Sequence, residues 1–122
     1  MLTNPGLYGD ISSVSNLINL KRFSFQGCPN LYGNISALAN KPLLSVIETG
    51  LDPNITGDIS ILSTCPKLTF LACRDNQITG DIGALVNCTS LTHIDVDYTQ
   101  VSGSVNNLRN MIWLRILAVN NP

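Results

Sequence analysis

His93 and Asp95 stand two residues apart, a spacing that puts both side chains on one face of a strand. A histidine beside a carboxylate is the base half of an acyl-transfer triad. The nucleophile half is not identifiable. No serine or cysteine sits in a G-x-S-x-G elbow, and no oxyanion motif follows. A phosphate loop, an H-E-x-x-H pair and a dinucleotide fingerprint are also missing. Neither catalysis nor a cofactor is therefore expected. The thiols are Cys28, Cys65, Cys73 and Cys88. They form no Cys-x-x-Cys pair, and His93 alone cannot complete a zinc-finger pattern. Asp10, Asp58 and Asp81 each follow a glycine and would make an acidic stripe. Calcium needs several converging oxygens per ion, which one carboxylate per repeat supplies poorly, so no metal site is expected. Asn34, Asn54 and Asn87 head Asn-x-Ser/Thr sequons, which matter only in a eukaryotic secretory pathway. In a chain rich in Asn, Ser and Thr, fortuitous matches are the simpler explanation.

Composition narrows the classes further. The 122 residues suffice for one domain, and 44 % hydrophobic against 12 % charged content argues against disorder. A net charge of -1 provides no basic field for nucleic acid or anionic lipid. No apolar run is long enough to span a membrane. Met1-Leu2-Thr3-Asn4-Pro5 lacks the basic region and apolar core of a secretory signal. A cytoplasmic or virion-associated location is accordingly expected over secretion. It also favours free thiols over a Cys65–Cys88 disulfide, although both readings stay open.

The elements that position these residues come from a repeat. Ile55-Thr56-Gly57-Asp58-Ile59-Ser60 returns as Ile78-Thr79-Gly80-Asp81-Ile82-Gly83, with looser copies from Leu7, Leu31 and Val101. The copies begin at 7, 31, 55, 78 and 101, so the period is 24 or 23 residues and predicts a solenoid. Apolar residues then recur every third position, as in Leu62, Cys65 and Leu68, which suits a short helical or 3₁₀ segment with one buried face. Each unit closes on a period-two pair such as Leu71 and Cys73, which suits a short strand. Phe23, Ile47, Leu71, Ile94 and Leu117 should stack in one buried column. Gly9, Gly33, Gly57, Gly80 and Gly103 are expected to make a backbone bend. Asp10, Asn34, Asp58, Asp81 and Ser104 are expected to cap the helical return. Lys41 falls in a column otherwise held by Leu17, Cys65, Cys88 and Met111. Either the return around it is distorted or its stem lies along the core with the ammonium in water; the second is favoured.

The resulting L-x-x-L-x-x-L-x-x-L-x-L pattern, five units in register over residues 7–122, resembles the leucine-rich-repeat family. The resemblance implies an α/β solenoid: a right-handed coil of about five repeats, with a parallel concave β-sheet and short helical or 3₁₀ convex returns. Residues 1–122 would form a single domain, part of a larger assembly or a longer solenoid. The family closes its strands with an asparagine ladder. Here that column reads Cys28, Asp52, Asn76, Thr99 and Pro122, so only Asn76 matches. Gly-Asp-Ile without a following proline is similar to bacterial and phage repeats and departs from the plant form.

What the resemblance implies about function is non-catalytic protein recognition or assembly, most concretely as a bacterial or phage virion component. A receptor-type ectodomain and the substrate-recognition arm of an effector enzyme are the alternatives. The expected binding face is the concave sheet, through Glu48, Phe70, Arg74, His93, Asp95, Asp97 and Tyr98. Neither end carries a polar capping unit, so Ile112, Trp113 and Ile116 are expected to form an end interface, with another subunit or further coils over it. Protein partners or further copies of the chain are implied, without nucleic acid or membrane insertion. A glycan stays open as an alternative ligand.

Overall fold

The computed structural model describes residues 6–120. Ten short strands alternate with five 3₁₀ turns. The strands are β1 (Tyr8–Asp10), β2 (Arg22–Ser24), β3 (Asn30–Asn34), β4 (Val46–Glu48), β5 (Ile55–Asp58), β6 (Phe70–Ala72), β7 (Gln77–Asp81), β8 (His93–Asp95), β9 (Gln100–Ser102) and β10 (Ile116–Ala118). Each coil runs from an odd-numbered strand through a 3₁₀ turn to an even-numbered strand. The three-residue apolar spacing thus forms a 3₁₀ turn, in which side chains three apart eclipse on one face. Among the described residues no helix is long and apolar enough to cross a membrane.

The even strands form the expected parallel sheet, in the order β2-β4-β6-β8-β10. Phe23, Ile47, Leu71, Ile94 and Leu117 lie directly beside one another in it. Alternation turns this column inward, and neighbouring coils bury Phe23, Ile47, Leu71 and Ile94, whereas Leu117, in the last described strand, is exposed.

The odd strands form a second parallel sheet, β1-β3-β5-β7-β9, which the repeat pattern did not announce. The Ile-Thr-Gly-Asp segments expected as a bend and a cap are strand as well. Alternation explains it: Ile55 and Ile78 point into the core, and Thr56 and Thr79 point outward. Equivalent residues are not side by side here. Tyr8 pairs with Asn30, Gly33 with Ile55, and Thr79 with Gln100, a shift of two residues per coil.

That shift explains the glycine column. Gly57 has φ +120°, and a Cβ on it would collide with Oδ1 of Asn34 in the preceding coil. Asn34 is itself the cap of its 3₁₀ turn, accepting from Ser36 N at 2.8 Å. Asp10, Asp58 and Asp81 do the same, at 2.8, 2.8 and 2.7 Å. Each cap therefore nests against the glycine of the next coil, and the cap expectation holds.

Polar groups inside the stack are held mainly by carbonyls of the preceding coil. Asn76 Nδ2 donates to the carbonyls of Thr49 (2.7 Å) and Asp52 (2.8 Å), and its Oδ1 accepts from Thr49 Oγ1 at 2.6 Å. Cys28 and Thr99 donate to the carbonyls of Gln26 and Val96, at 3.7 and 2.7 Å. Pro122 lies outside the described residues. The favoured expectation for Lys41 fails. The residue is 0 % exposed, and its ammonium donates to the carbonyls of Val14, Ser15 and Leu17 at 2.9, 3.1 and 3.3 Å. Three donors meet three acceptors at the end of the first 3₁₀ turn, so the charge is satisfied without water. The backbone also departs locally, with Ala39 extended and Asn40 at φ +58°. All four cysteines are buried and free. Cys65 Sγ donates to Leu38 O at 3.2 Å and Cys88 Sγ to Leu62 O at 3.4 Å. Burial pushes the Cys73 thiol up to about 12 and the Cys88 thiol up to about 11, so both stay protonated and unreactive.

Candidate protein-interaction face

The outward positions of the even strands build the concave surface. Because this sheet has no stagger, Val46, Phe70, His93 and Ile116 form one row. Phe70 and His93 stack, with ring centroids 4.2 Å apart and planes 17° from parallel. In the next row Glu48 meets Arg22 Nη2 at 3.5 Å and accepts from Ser24 Oγ at 3.2 Å. Arg74 lies over the Tyr98 ring, 5.1 Å from its centroid. Its guanidinium also pairs with Asp75 at 3.4 Å and Asp97 at 4.0 Å.

The structure pairs Phe70 with His93 and, past the strand ends, Arg74 with Tyr98, all of them exposed or half-buried. Asp97 does not join them on the surface. It is buried, and its carboxylate accepts from Asn120 N at 2.6 Å and Asn120 Nδ2 at 3.2 Å. It is a brace between coils, because the strand has ended before it and the chain turns its side chain along the stack. Asp95 Oδ1 accepts from Asp97 N at 3.1 Å and pairs with no cation among the described residues.

Sequence reasoning missed what presents Tyr98. Gly27, Leu51, Asp75 and Tyr98 occupy equivalent positions after successive even strands, and all are left-handed, with φ of +62°, +64°, +59° and +56°. A non-glycine residue there is strained and persists only where its surroundings over-determine it. Leu51 and Tyr98 stand exposed as a result. Gly27 in that column was the available signal. Beside this rim lies a depression of about 380 Å³, with Gly50 and Ala72 as the small residues and Gln26, Leu51, Arg74 and Asp95 among its walls.

The residues expected at the end interface all lie exposed in the last described coil. Ile116 is in register with His93 and belongs to the concave row. Ile112 and Trp113 are exposed in the turn ahead of β10. His93 makes no hydrogen bond to a serine, cysteine or carboxylate among the described residues; its ring stacks on Phe70. No three His, Cys, Asp or Glu side chains converge among the described residues.

No protein-family profile matches the chain, and no curated protein does. Solved structures do. A plant peptide hormone receptor, RGFR1 in complex with RGF2, is 30 % identical over 93 % of this chain, with a TM-score of 0.73. The chain spans only 19 % of that receptor's length. The ectodomain of the receptor kinase SOBIR1 from Arabidopsis thaliana is 21 % identical over 99 % of this chain and 68 % of its own, with a TM-score of 0.68. An internalin from Listeria monocytogenes is 26 % identical over 92 % of this chain and 38 % of its own, with a TM-score of 0.64. With a period of 24 or 23 residues, two parallel sheets and a 3₁₀ turn in every coil, the chain belongs among the leucine-rich-repeat solenoids.

Proposed function

We propose that the chain is a non-catalytic protein-recognition module that binds through its concave sheet. The observation that carries this is the pairing of Phe70 with His93 and of Arg74 with Tyr98. Phe70 and His93 project from the parallel strands and Arg74 and Tyr98 from the turns that follow them, leaving the buried columns untouched. Aromatic residues and arginine at such a position are the types that dominate binding energy. RGFR1, with RGF2 bound, supports a peptide or protein as the partner class. The sequence expectation of a virion-associated component and the alternative of a receptor-type ectodomain differ in what the chain is joined to. The chain is similar both to a plant receptor and to a bacterial internalin, so neither is preferred.

The test uses the full chain with a photo-crosslinking residue at position 98 and, separately, at exposed position 86. The partner should crosslink from position 98 only. Replacing Phe70 and Tyr98 together by Ala should weaken its binding by about tenfold or more, as loss of hot-spot aromatics does. The melting temperature should change little, because Tyr98 is exposed and Phe70 half-buried. Binding that survives the double substitution removes the concave face from consideration. Crosslinks between copies of the chain would identify the partner as self.

A further inference from the structure

The second sheet has an outer surface that the concave-face reading leaves unused. Tyr8 and Tyr32 stand out from it, 82 % and 51 % exposed. The two-residue stagger sets each against an amide of the following coil. Tyr8 pairs with Asn30, and the pairing of Gly33 with Ile55 puts Tyr32 beside Asn54. Next to Tyr32 runs a groove of about 680 Å³, lined also by Pro29, Pro53, Asn54 and Thr56.

We infer that this groove is a binding site for a neutral glycan. Three properties of its wall select that ligand. First, no residue lining it carries a charge. Such a wall gives no electrostatic gain to a nucleic acid, a phospholipid headgroup or a charged peptide. Second, the wall is polar without charge: besides Tyr32 it carries the amides of Asn30 and Asn54 and the hydroxyl of Thr56. Asn54 Nδ2 donates to Pro29 O at 3.1 Å, and Thr56 Oγ1 donates to Gly33 O at 3.3 Å. Each contact uses one donor, so the second Asn54 N–H and the Tyr32 hydroxyl stand as donors beside the acceptors Asn54 Oδ1 and Thr56 Oγ1. Hydroxyl groups, which donate and accept, complement such a mixed wall. A proline-rich segment would pack on the tyrosine, but without backbone N–H groups it meets the wall's donors and not its acceptors. Third, the aromatic ring is electron-rich on its face and attracts the C–H groups that sugars present beside their hydroxyls. Polyol edge and C–H face occur together in a saccharide.

The same pairing also bounds the site. In later coils the tyrosine position is Thr56 and then Thr79, set against Gln77 and Gln100. The stacking platform therefore spans only the first two coils and fits a short oligosaccharide stretch lying across Tyr8 and Tyr32.

The full chain is tested against immobilised neutral oligosaccharides: β-glucan, mannan, galactan and chitin fragments. At least one should bind, with affinity unchanged between about 50 mM and about 500 mM salt, because no ion pair forms. Tyr32→Ala should weaken that binding by about tenfold or more, as loss of a stacking platform does. Tyr32→Phe, which keeps the ring, should retain it. Replacing Phe70 and Tyr98 should leave it unchanged, which separates this site from the concave face. Tyr32 is exposed, so the folded state of each variant can be confirmed by its unaltered melting temperature. The inference is overturned if no neutral sugar binds, if binding survives Tyr32→Ala, or if a polyproline peptide binds the groove in place of any sugar.

Discussion

Asp52 occupies the position that the asparagine ladder assigns to an amide. Its Oδ1 accepts from Cys28 N at 2.6 Å, but its Oδ2 is buried with no partner. One coil on, the equivalent Asn76 uses its Nδ2 to hold two carbonyls. The carboxylate cannot make that donation, and only a protonated acid can do so in part. Burial raises the carboxyl's pKa above the ordinary value, against the lowering effect of the Cys28 N–H. A folded-state value above the unfolded one means that the folded chain holds the proton more tightly. The stabilising contribution is then complete below the ordinary carboxylate value and is lost as pH rises through the raised one. Asp52→Asn should therefore stabilise the protein by about 1–3 kcal/mol at neutral pH. That gain should shrink as pH falls toward the mid-acid range. Thermal denaturation of both proteins across pH decides it, and a gain independent of pH contradicts the account. The departure at Asp52 was legible in sequence. The buried brace at Asp97 and the capping ammonium of Lys41 were not, because each depends on which carbonyls or amides an adjacent coil places nearby.

In each coil, the glycine and the cap act as one joint between neighbours. Gly57 provides the space that the Asn34 cap fills, and its φ of +120° is unfavourable for any L side chain. Gly57→Ala should cost about 1–3 kcal/mol from backbone strain, with displacement of Asn34 added to it. Asn34→Ala should cost about 1 kcal/mol through the lost cap. Together the two should cost less than their sum, because the shortened cap no longer meets the new methyl group. Urea denaturation of the four proteins in the cycle measures this. Full additivity would show that the glycine is needed for its backbone angle alone. Sequence identified both residue types and the cap's role. It did not show that the glycine of one coil receives the cap of the coil before.

Stability across the whole stack is set by neighbours. Ile94, with coils on both sides, is 0 % exposed, while its equivalent Leu117 in the last described strand is 41 % exposed. Nearest-neighbour stacking predicts a gradient of local opening along such an array. Amides of β6 and β8 should exchange with solvent most slowly, and those of β2 and β10 faster. Hydrogen exchange resolved by strand checks this, and uniform protection would mean that the stack opens as a single unit. Sequence by itself determined the repeat pitch and which residues turn inward, because a repeat period states which residues return to the same place in successive turns; the parallel concave sheet came from the family resemblance. Tertiary structure alone decided the second sheet, its two-residue stagger, the left-handed rim that presents Tyr98, and the pairing of tyrosine with amide outside the concave face. A period counts residues along the chain. The sideways offset between coils comes from how their strands and caps pack against one another, and that offset chooses the neighbours of each outward side chain.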